Sequence, residues 1–304
     1  MKERTGASFS SDSAMASQQD ASRLSDLSIL TKARLSLLVV FTTAIGYSVG
    51  KTADSGRLAL FFAVLGTSLA AASAAALNQW MEADVDGLME RTRGRPLPGG
   101  RWTRGNVLSL GVCLGAAGVS LLWLTLPVLT ALLAVATIVI YLLIYTPMKR
   151  RSSLCVLVGA VSGALPPVIG WAASGSGEHW AAWVPFGILF CWQMPHFLAI
   201  AWMYREEYRS AGFVMLAPMD EDGVFTASQA LFFALTLAAV TFVPVWLEKA
   251  GTVYEIGAIF LNVCFSGSAL VFLRERSRIS ARRLFIMSII YLPLMLGLLA
   301  FFRT

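Results

Sequence analysis

Forty-two consecutive residues, from Val107 to Met148, contain no aspartate, glutamate, lysine or arginine. A helix that crosses a bilayer needs about 20 apolar residues, so this run is too long for one crossing. Pro127 lies near its middle, and proline breaks helices because it has no backbone N–H to donate. The run therefore predicts two membrane helices that are joined by a tight turn.

Shorter apolar runs fill most of the remaining chain. Hydrophobic residues make up 57% of the sequence and charged residues only 14%, whereas soluble domains have about 25% charged residues. This excludes an ordinary water-soluble domain and a disordered chain. The sequence predicts an all-α integral membrane protein with nine transmembrane helices. The predicted spans are residues 35–50, 58–77, 107–126, 127–148, 154–173, 180–202, 225–247, 253–273 and 284–302.

The basic residues are distributed very unevenly between the connecting segments. With nine spans, 20 of the 24 lysines and arginines fall on one side of the membrane. Positively charged loops stay in the cytoplasm, so we expect a cytoplasmic N-terminus and a C-terminus outside, in a bacterial inner membrane. The net charge of +6 is explained by this topology, and we expect no nucleic-acid partner.

The first 27 residues are polar and rich in serine, without the apolar segment of a signal peptide. We expect a disordered cytoplasmic tail over residues 1–27 and a single polytopic membrane domain over residues 28–304. The four cysteines form no CxxC pair, which argues against a disulfide framework, a zinc ribbon or a covalent haem attachment.

Acidic residues are scarce, and one group of them follows the second predicted span. Asn78, Glu82 and Asp86 are four residues apart, so a continuing helix would place them along one face. Oxygen ligands in such a row suit Mg²⁺, and the nearby Arg91 and Arg95 suit phosphate groups. The alternative is a solvated loop whose arginines only set the topology, and the spacing alone does not decide between the two.

Two further loops on the cytoplasmic side carry related residues. Glu206, Glu207 and Tyr208 follow the sixth span, and Lys149 with Arg150 follows the fourth. Acidic clusters repel one another unless a cation lies between them. The three loops together predict a diphosphate that is held by metal ions and basic side chains at one mouth.

The segment from Asn78 to Leu97 matches the pattern N-x-W-x-[DE]-x-x-x-D-x-x-M-x-R-T-x-x-R-P-L. It resembles the protohaem IX farnesyltransferase family within the UbiA superfamily of intramembrane prenyltransferases. Further blocks that resemble the family begin at Thr31, Tyr145, Gly163, Trp192 and Ala281. Three departures stand out. The usual proline after Lys32 is Ala33, Glu206-Glu207 replaces a common aspartate, and Ala211 interrupts the superfamily's second DxxxD.

The resemblance implies a UbiA-type bundle of nine helices around a central cavity. It further implies that Mg²⁺ helps farnesyl diphosphate to lose its diphosphate, and that the 2-vinyl group of haem b captures the allylic cation to give haem O. Haem b is then a substrate, the lipid bilayer is the environment, and the downstream haem A synthase is a candidate partner. The residues assigned to metal ions are Asn78, Glu82, Asp86, Glu206 and Glu207. The residues assigned to catalysis are Asn78, Glu82, Asp86 and Glu207. The residues assigned to substrate binding are Arg91, Arg95, Lys149, Arg150, Tyr208, His196 and Trp80.

Three of these assignments have a structural alternative. Arg150 could serve to set the membrane topology alone. His196 is an ionisable residue inside a span, which marks a functional candidate that could reach haem iron or a propionate. It could equally be a packing histidine that is bonded to a neighbour. Trp80 lies inside the motif, where its ring could stabilise a cation, although most tryptophans in such proteins are interfacial anchors.

Two other functions compete with haem farnesylation. One is a UbiA-type prenyltransferase with another acceptor, such as an aromatic acid or a tetrapyrrole alcohol. The other is a transporter, but transporters place ionisable residues near the bilayer midplane. The acidic residues here cluster at the cytoplasmic mouth, which argues against transport.

Overall fold

The computed structural model describes residues 23–53, 55–214 and 216–302, without the side chains of residues 34, 35 and 218. The described residues contain helices and no strand, so the prediction of an all-α fold is confirmed. The helices, in chain order, are α1 (residues 23–30), α2 (Ala33–Val49), α3 (Arg57–Asp86), α4 (Arg104–Thr125), α5 (Val128–Val139), a π-helical segment (Ile140–Tyr145), α6 (Thr146–Met148), α7 (Cys155–Ala164), α8 (Pro166–Ala173), α9 (Trp180–Met203), α10 (Arg205–Ser210), α11 (Leu216–Met219), α12 (Val224–Trp246), α13 (Thr252–Glu275) and α14 (Arg278–Phe301).

Eight segments of the described chain are long and apolar enough to cross a membrane. Two of them are composite, because Val128–Met148 combines α5, the π-helical segment and α6, and Cys155–Ala173 combines α7 and α8. The first predicted span corresponds to α2, which has 17 residues and a rise of about 25 Å. The count of nine is therefore not confirmed, since α2 is too short to qualify by itself. The predicted turn at Pro127 is confirmed, because this residue caps the start of α5.

Residues 1–22 of the predicted tail lie outside the described residues. Residues 23–27, which we placed in the same tail, are already helical. Asp26 of α1 is buried and accepts three hydrogen bonds of 2.8 to 3.0 Å from the Arg101 guanidinium. This pair attaches α1 to the loop between α3 and α4.

Helix α2 lies very close to α8, and two glycines make this approach possible. A Cβ atom added at Gly46 would lie 1.9 Å from the Pro167 carbonyl oxygen, and one at Gly170 would lie 2.0 Å from the carbonyl oxygen of Thr43. Small residues at helix contacts are typical of membrane bundles, where close backbone packing replaces the hydrophobic effect. The contact keeps the short α2 inside the bundle.

The helices surround a central cavity of about 390 Å³. Among the described residues its wall comes from α2, α3, α5, the π-helical segment, α7, α8, α9 and α10, with further side chains from the connecting loops. Its middle is apolar and includes Leu38, Ala74, Ile169 and Leu189. Among the residues that the structure describes, the charged side chains of the wall lie at one end, which is called the mouth below.

Candidate active site

Helix α3 carries the predicted acidic residues into the cavity. It runs unbroken for 30 residues, until Gly87, so Asn78, Glu82 and Asp86 lie on successive turns of one face. All three line the cavity. The Asn78 amide donates to Glu82 Oε2 at 3.0 Å and to the Thr146 hydroxyl at 3.1 Å, which fixes its orientation. We call these three residues the acidic stripe.

Asp86, at the end of the stripe, is held by the loop that follows it. Arg95 Nη1 donates to Asp86 Oδ2 at 2.6 Å, and only 3% of the Asp86 side chain is exposed. The Thr92 hydroxyl donates to the Asp86 carbonyl at 2.7 Å. The loop thus folds back over the helix end and brings Arg95 to the mouth.

Glu82, in the middle of the stripe, pairs with a lysine from the loop after α6. Lys149 Nζ lies 2.9 Å from Glu82 Oε1 and 3.0 Å from Oε2, and 4.7 Å from the centre of the Tyr145 ring. Burial by itself lowers the pKa of Lys149, but Tyr145 and Glu82 raise it, and the net pKa lies above the ordinary value. Lys149 is therefore a fixed positive charge at neutral pH.

Lys32 and Tyr141 belong to the mouth, although our reading of the sequence did not assign them. Lys32 Nζ donates to Tyr141 Oη at 3.3 Å and to Asn78 Oδ1 at 3.4 Å. The π-helical segment changes the register of its helix, and Tyr141 and Tyr145 then stack with ring centres 5.3 Å apart. π-helical turns often occur at functional sites. The sequence feature that could have pointed to Tyr141 is its spacing of four residues from Tyr145 inside an uncharged run.

Arg91 joins the loop after α3 to α10. Its guanidinium donates to the Tyr208 hydroxyl at 2.9 Å and lies over the rings of Tyr204 and Tyr208, 5.0 and 5.5 Å from their centres. Both Arg91 and Tyr208, which we predicted to bind substrate, line the cavity.

The second acidic cluster does not reach the cavity wall. Glu206 is exposed and pairs with Arg205 at 3.2 Å and Arg209 at 3.7 Å on its own short helix. Neither Glu206 nor Glu207 lines the cavity, whereas Tyr208 does. Residues two apart point about 200° apart on a helix, so the helix that directs Tyr208 inward directs Glu206 away. The predicted meeting of two acidic clusters around one mouth is not found.

Two other predicted residues also lie off the wall. Trp80 packs against a cluster that includes Leu30, Leu97 and Val107, because it is two positions from Asn78 and faces the opposite side of α3. Arg150 is exposed and is not part of the cavity lining, although its neighbour Lys149 is. Lys149 thus belongs to the cavity wall, whereas the adjacent Arg150 belongs to the exposed surface.

His196 lines the cavity below the mouth and is also packed by its neighbours. Its Nδ1 lies 2.7 Å from the Ser288 hydroxyl, and its ring stacks on Trp192 with centres 4.8 Å apart. Phe285 lies on the ring at 4.9 Å. Because Nδ1 is occupied by Ser288, Nε2 is the atom that remains for a ligand.

The donors of the acidic stripe fit one Mg²⁺ ion. Glu82 and Asp86 supply two carboxylates on one face, and Mg²⁺ typically takes one or two carboxylates together with water and substrate phosphates. In the described part of the chain no three histidine, cysteine, aspartate or glutamate side chains gather into a metal cluster. The chain therefore offers a partial ligand set that a diphosphate would complete.

Comparison with known proteins identifies the family. The model of the UbiA prenyltransferase family matches residues 39–293. A protoheme IX farnesyltransferase from Solibacter usitatus (strain Ellin6076) is 43% identical over 279 residues, which are 89% of this chain and 96% of the relative. The protein of the same name from Opitutus terrae (strain DSM 11246 / JCM 15787 / PB90-1) is 41% identical, with 92% and 95% covered.

Solved structures show the same fold. A digeranylgeranylglyceryl phosphate synthase matches with a TM-score of 0.76 at 14% identity, over 92% of this chain and 98% of the other. A UbiA homolog from Archaeoglobus fulgidus, bound to GPP and Mg²⁺, matches with a TM-score of 0.66 at 13% identity, over 90% and 99%. The chain belongs to the UbiA prenyltransferase family and is a multi-pass membrane protein.

Proposed function

We propose that the protein transfers the farnesyl group of farnesyl diphosphate to the 2-vinyl group of haem b and so forms haem O. The similarity to relatives named protoheme IX farnesyltransferase, over most of both chains, supports the substrates. The structural observation that carries the proposal is the set of ion pairs at the mouth of the cavity. Two carboxylates of one helix face, each with a basic partner, lie at the end of a largely apolar cavity.

The basic residues of the mouth are proposed to bind the diphosphate. Arg91, Arg95 and Lys149 all line the cavity and converge from two different loops. Negative charge develops on the diphosphate as the C1–O bond of the farnesyl group breaks, and preorganised cations stabilise that charge. Arg150 is left out of this role, because it lies off the wall.

Glu82 and Asp86 are the residues proposed to hold Mg²⁺, with Asn78 orienting Glu82. When bound, Mg²⁺ would neutralise part of the charge on the leaving diphosphate. The Arg95 and Lys149 side chains keep both carboxylates turned toward the mouth. The second metal site that we predicted from Glu206 and Glu207 receives no support from their placement.

The apolar part of the cavity is proposed to hold the farnesyl chain and the porphyrin. An allylic cation reacts with any water within reach, so the wall must exclude solvent until the vinyl group attacks. Alanines of α3 (Ala70, Ala71, Ala74 and Ala75) leave room along one side of this region. His196 of α9 is the proposed contact to haem, through its Nε2 atom.

The distribution of basic residues supports a proposal for the location of the protein. We propose the bacterial inner membrane, with the mouth and the N-terminus in the cytoplasm and the C-terminus outside. A complex with the haem A synthase that uses the product is a further proposal, and haem O would then pass between two membrane proteins.

The proposal is tested with purified protein in lipid nanodiscs, supplied with farnesyl diphosphate, haem b and Mg²⁺. The expected product is haem O, identified by its mass, and its formation should stop when Mg²⁺ is chelated. Parallel reactions with a hydroxybenzoate as acceptor provide the comparison. Prenylation of the aromatic acid without prenylation of haem would show that the enzyme has another acceptor.

A further inference from the structure

The reaction that we propose consumes a water molecule in a cavity that must otherwise stay dry. When the vinyl group attacks the farnesyl carbon, positive charge moves to the vinyl carbon next to the porphyrin ring. That carbon either binds water, which gives the alcohol, or its neighbour loses a proton, which gives an alkene. We infer that Ser162, Gly163 and Gln193 hold the water that enters the product, an assignment that rests on the proposed function.

Gln193 presents an acceptor to the cavity. It is buried and lines the wall in the middle of α9. Its amide nitrogen donates to the carbonyls of Ala160 at 3.3 Å and Leu189 at 3.0 Å, so both amide hydrogens are used. Its Oε1 atom lies against Gly163, because a Cβ atom added there would be 2.1 Å from it. The side chain is thus fixed with its oxygen as the available group.

Ser162 and Gly163 provide acceptors beside this oxygen. The Ser162 hydroxyl donates to the Gly159 carbonyl at 2.9 Å, and its lone pairs remain as acceptors. Pro167 has no N–H with which to reach the Gly163 carbonyl, four residues earlier, whereas the Leu165 N–H donates to the Ser162 carbonyl at 3.5 Å. This is why α7 ends at Ala164 and α8 begins at Pro166. The set of Ser162, Gly163 and Gln193 is called the acceptor patch.

An acceptor-only surface is what a nucleophilic water requires. A water that donates both hydrogens to the wall points its lone pairs at the cavity, where a cation would be. Buried waters need two to four polar partners, and the patch supplies at least two within a largely apolar wall. Wall residues around it include Pro166 and Leu189, which give the water no competing bond. The same partial negative charges also favour a cation nearby.

The step balances without any further reagent. The C1–O bond of farnesyl diphosphate breaks and its electrons leave with the diphosphate. The π electrons of the vinyl group form the new C–C bond. A lone pair of the held water forms the C–O bond of the alcohol, and its proton passes to the released diphosphate. If the water is absent, the same proton acceptor takes a proton from carbon and the alkene results.

The test measures the ratio of alcohol to alkene among the prenylated haems by mass spectrometry, since the two differ by one water molecule. Gln193→Met removes the amide at similar size, and Ser162→Ala removes the hydroxyl. Gly163→Ala displaces Gln193 Oε1 without deleting it, and the flexible end of the glutamine can move aside. We expect the ratio to fall about tenfold for Gln193→Met and several-fold for the other two, as the loss of one hydrogen bond predicts.

Ser68→Ala is the matched control. Its hydroxyl also donates to a carbonyl of its own helix, at 2.6 Å from Val64, but Ser68 does not line the cavity. The control should keep the wild-type ratio. If Gln193→Met does not fold, Ser162→Ala and Gly163→Ala decide the question.

The outcomes separate this inference from the proposed function. A wild-type protein that does not prenylate haem refutes the function. A wild-type protein that forms the alcohol, with variants of the acceptor patch that keep its ratio to the alkene, refutes the inference alone. A wild type that forms mainly alkene also refutes the inference.

Discussion

Asp86 and Arg95 form an ion pair of 2.6 Å at the end of α3, with the carboxylate almost completely buried. Two residues earlier on the same helix, Asp84 pairs with Arg104 while 84% of its side chain is exposed. The two pairs use the same chemical groups in opposite surroundings. The difference defines Asp86 as part of the cavity and Asp84 as part of the surface.

Replacing Asp86 by asparagine should abolish most turnover while the protein still inserts into the membrane. The change removes a proposed anionic ligand of Mg²⁺ and frees Arg95 from its partner. A loss on the order of 10²–10³ in rate is expected for one such electrostatic contact. The rate is measured against Mg²⁺ concentration, with Asp84→Asn as a control of equal chemistry that should behave as wild type.

Glu82→Gln should act like Asp86→Asn, and the double variant should be no slower than the worse single variant. Residues that hold one ion act as a unit, so their effects do not add. Normal turnover of Asp86→Asn at low Mg²⁺ would instead assign the acidic stripe to structure alone.

Lys149→Gln should lower kcat/KM for farnesyl diphosphate by about 10–100-fold, because a charge-assisted hydrogen bond is lost. Arg150→Gln should stay within about twofold, since an exposed charge is screened by solvent. Steady-state kinetics with haem at saturation separate the two. Equal losses for both variants would contradict the placement of Arg150 outside the site and favour a general effect of positive charge.

Glu206→Gln and Glu207→Gln should leave the dependence of the rate on Mg²⁺ close to that of wild type. Glu206 is paired with Arg205 and Arg209 away from the wall, and neither glutamate lines the cavity. The same Mg²⁺ titration that is used for Asp86→Asn applies here. A strong rise in the Mg²⁺ requirement of either variant would restore the second metal site that the sequence suggested.

Local patterns explain what the sequence could predict. Apolar runs located most of the membrane helices to within three residues, because burial in lipid depends on composition over about 20 positions. The exceptions are α3, which continues nine residues beyond its predicted span, and α14, which begins six residues before its own. The spacing of Asn78, Glu82 and Asp86 located one face of α3, because helical geometry fixes that relation. Both predictions concern neighbours along one element.

Contacts between distant segments explain what the sequence could not predict. Lys32 meets Asn78 across 46 residues and Tyr141 across 109, and the latter contact involves a helix with a π-helical turn. Trp80 belongs to the same motif as Asn78 but lies off the cavity wall, because successive side chains of a helix are rotated by about 100°. Side-chain direction, and not proximity in sequence, decides which residues share a cavity.

The topology prediction concerns the two ends of the chain. A reporter that is fused after Thr304 should lie outside, and one that is inserted in the loop of residues 91–104 should lie in the cytoplasm. The Asp26–Arg101 pair places α1 on the side of that loop, and the Gly251 N–H donates to the Phe302 carbonyl at 3.3 Å at the other end of the bundle. Reporter activity on one side for both fusions would contradict an odd number of crossings.

His196→Ala should weaken haem binding and leave the binding of farnesyl diphosphate unchanged. The Nε2 atom is the proposed haem contact, while the proposed diphosphate site lies at the mouth, on other helices. Removing the ring also leaves a gap between Trp192 and Phe285, and large-to-small changes in packed sites typically cost about 2–5 kcal/mol. His196→Gln fills more of this space and keeps a polar group, so it serves as the second variant. Ser288→Ala keeps the histidine and removes only its 2.7 Å partner.

Haem affinity is measured by titration of the Soret absorption, and farnesyl diphosphate affinity by calorimetry in the same nanodiscs. We expect a large loss of haem affinity for both His196 variants and a smaller loss for Ser288→Ala, because an unbonded ring is less well oriented. If thermal stability falls while haem affinity and turnover stay unchanged, His196 is a packing residue and another group must contact haem.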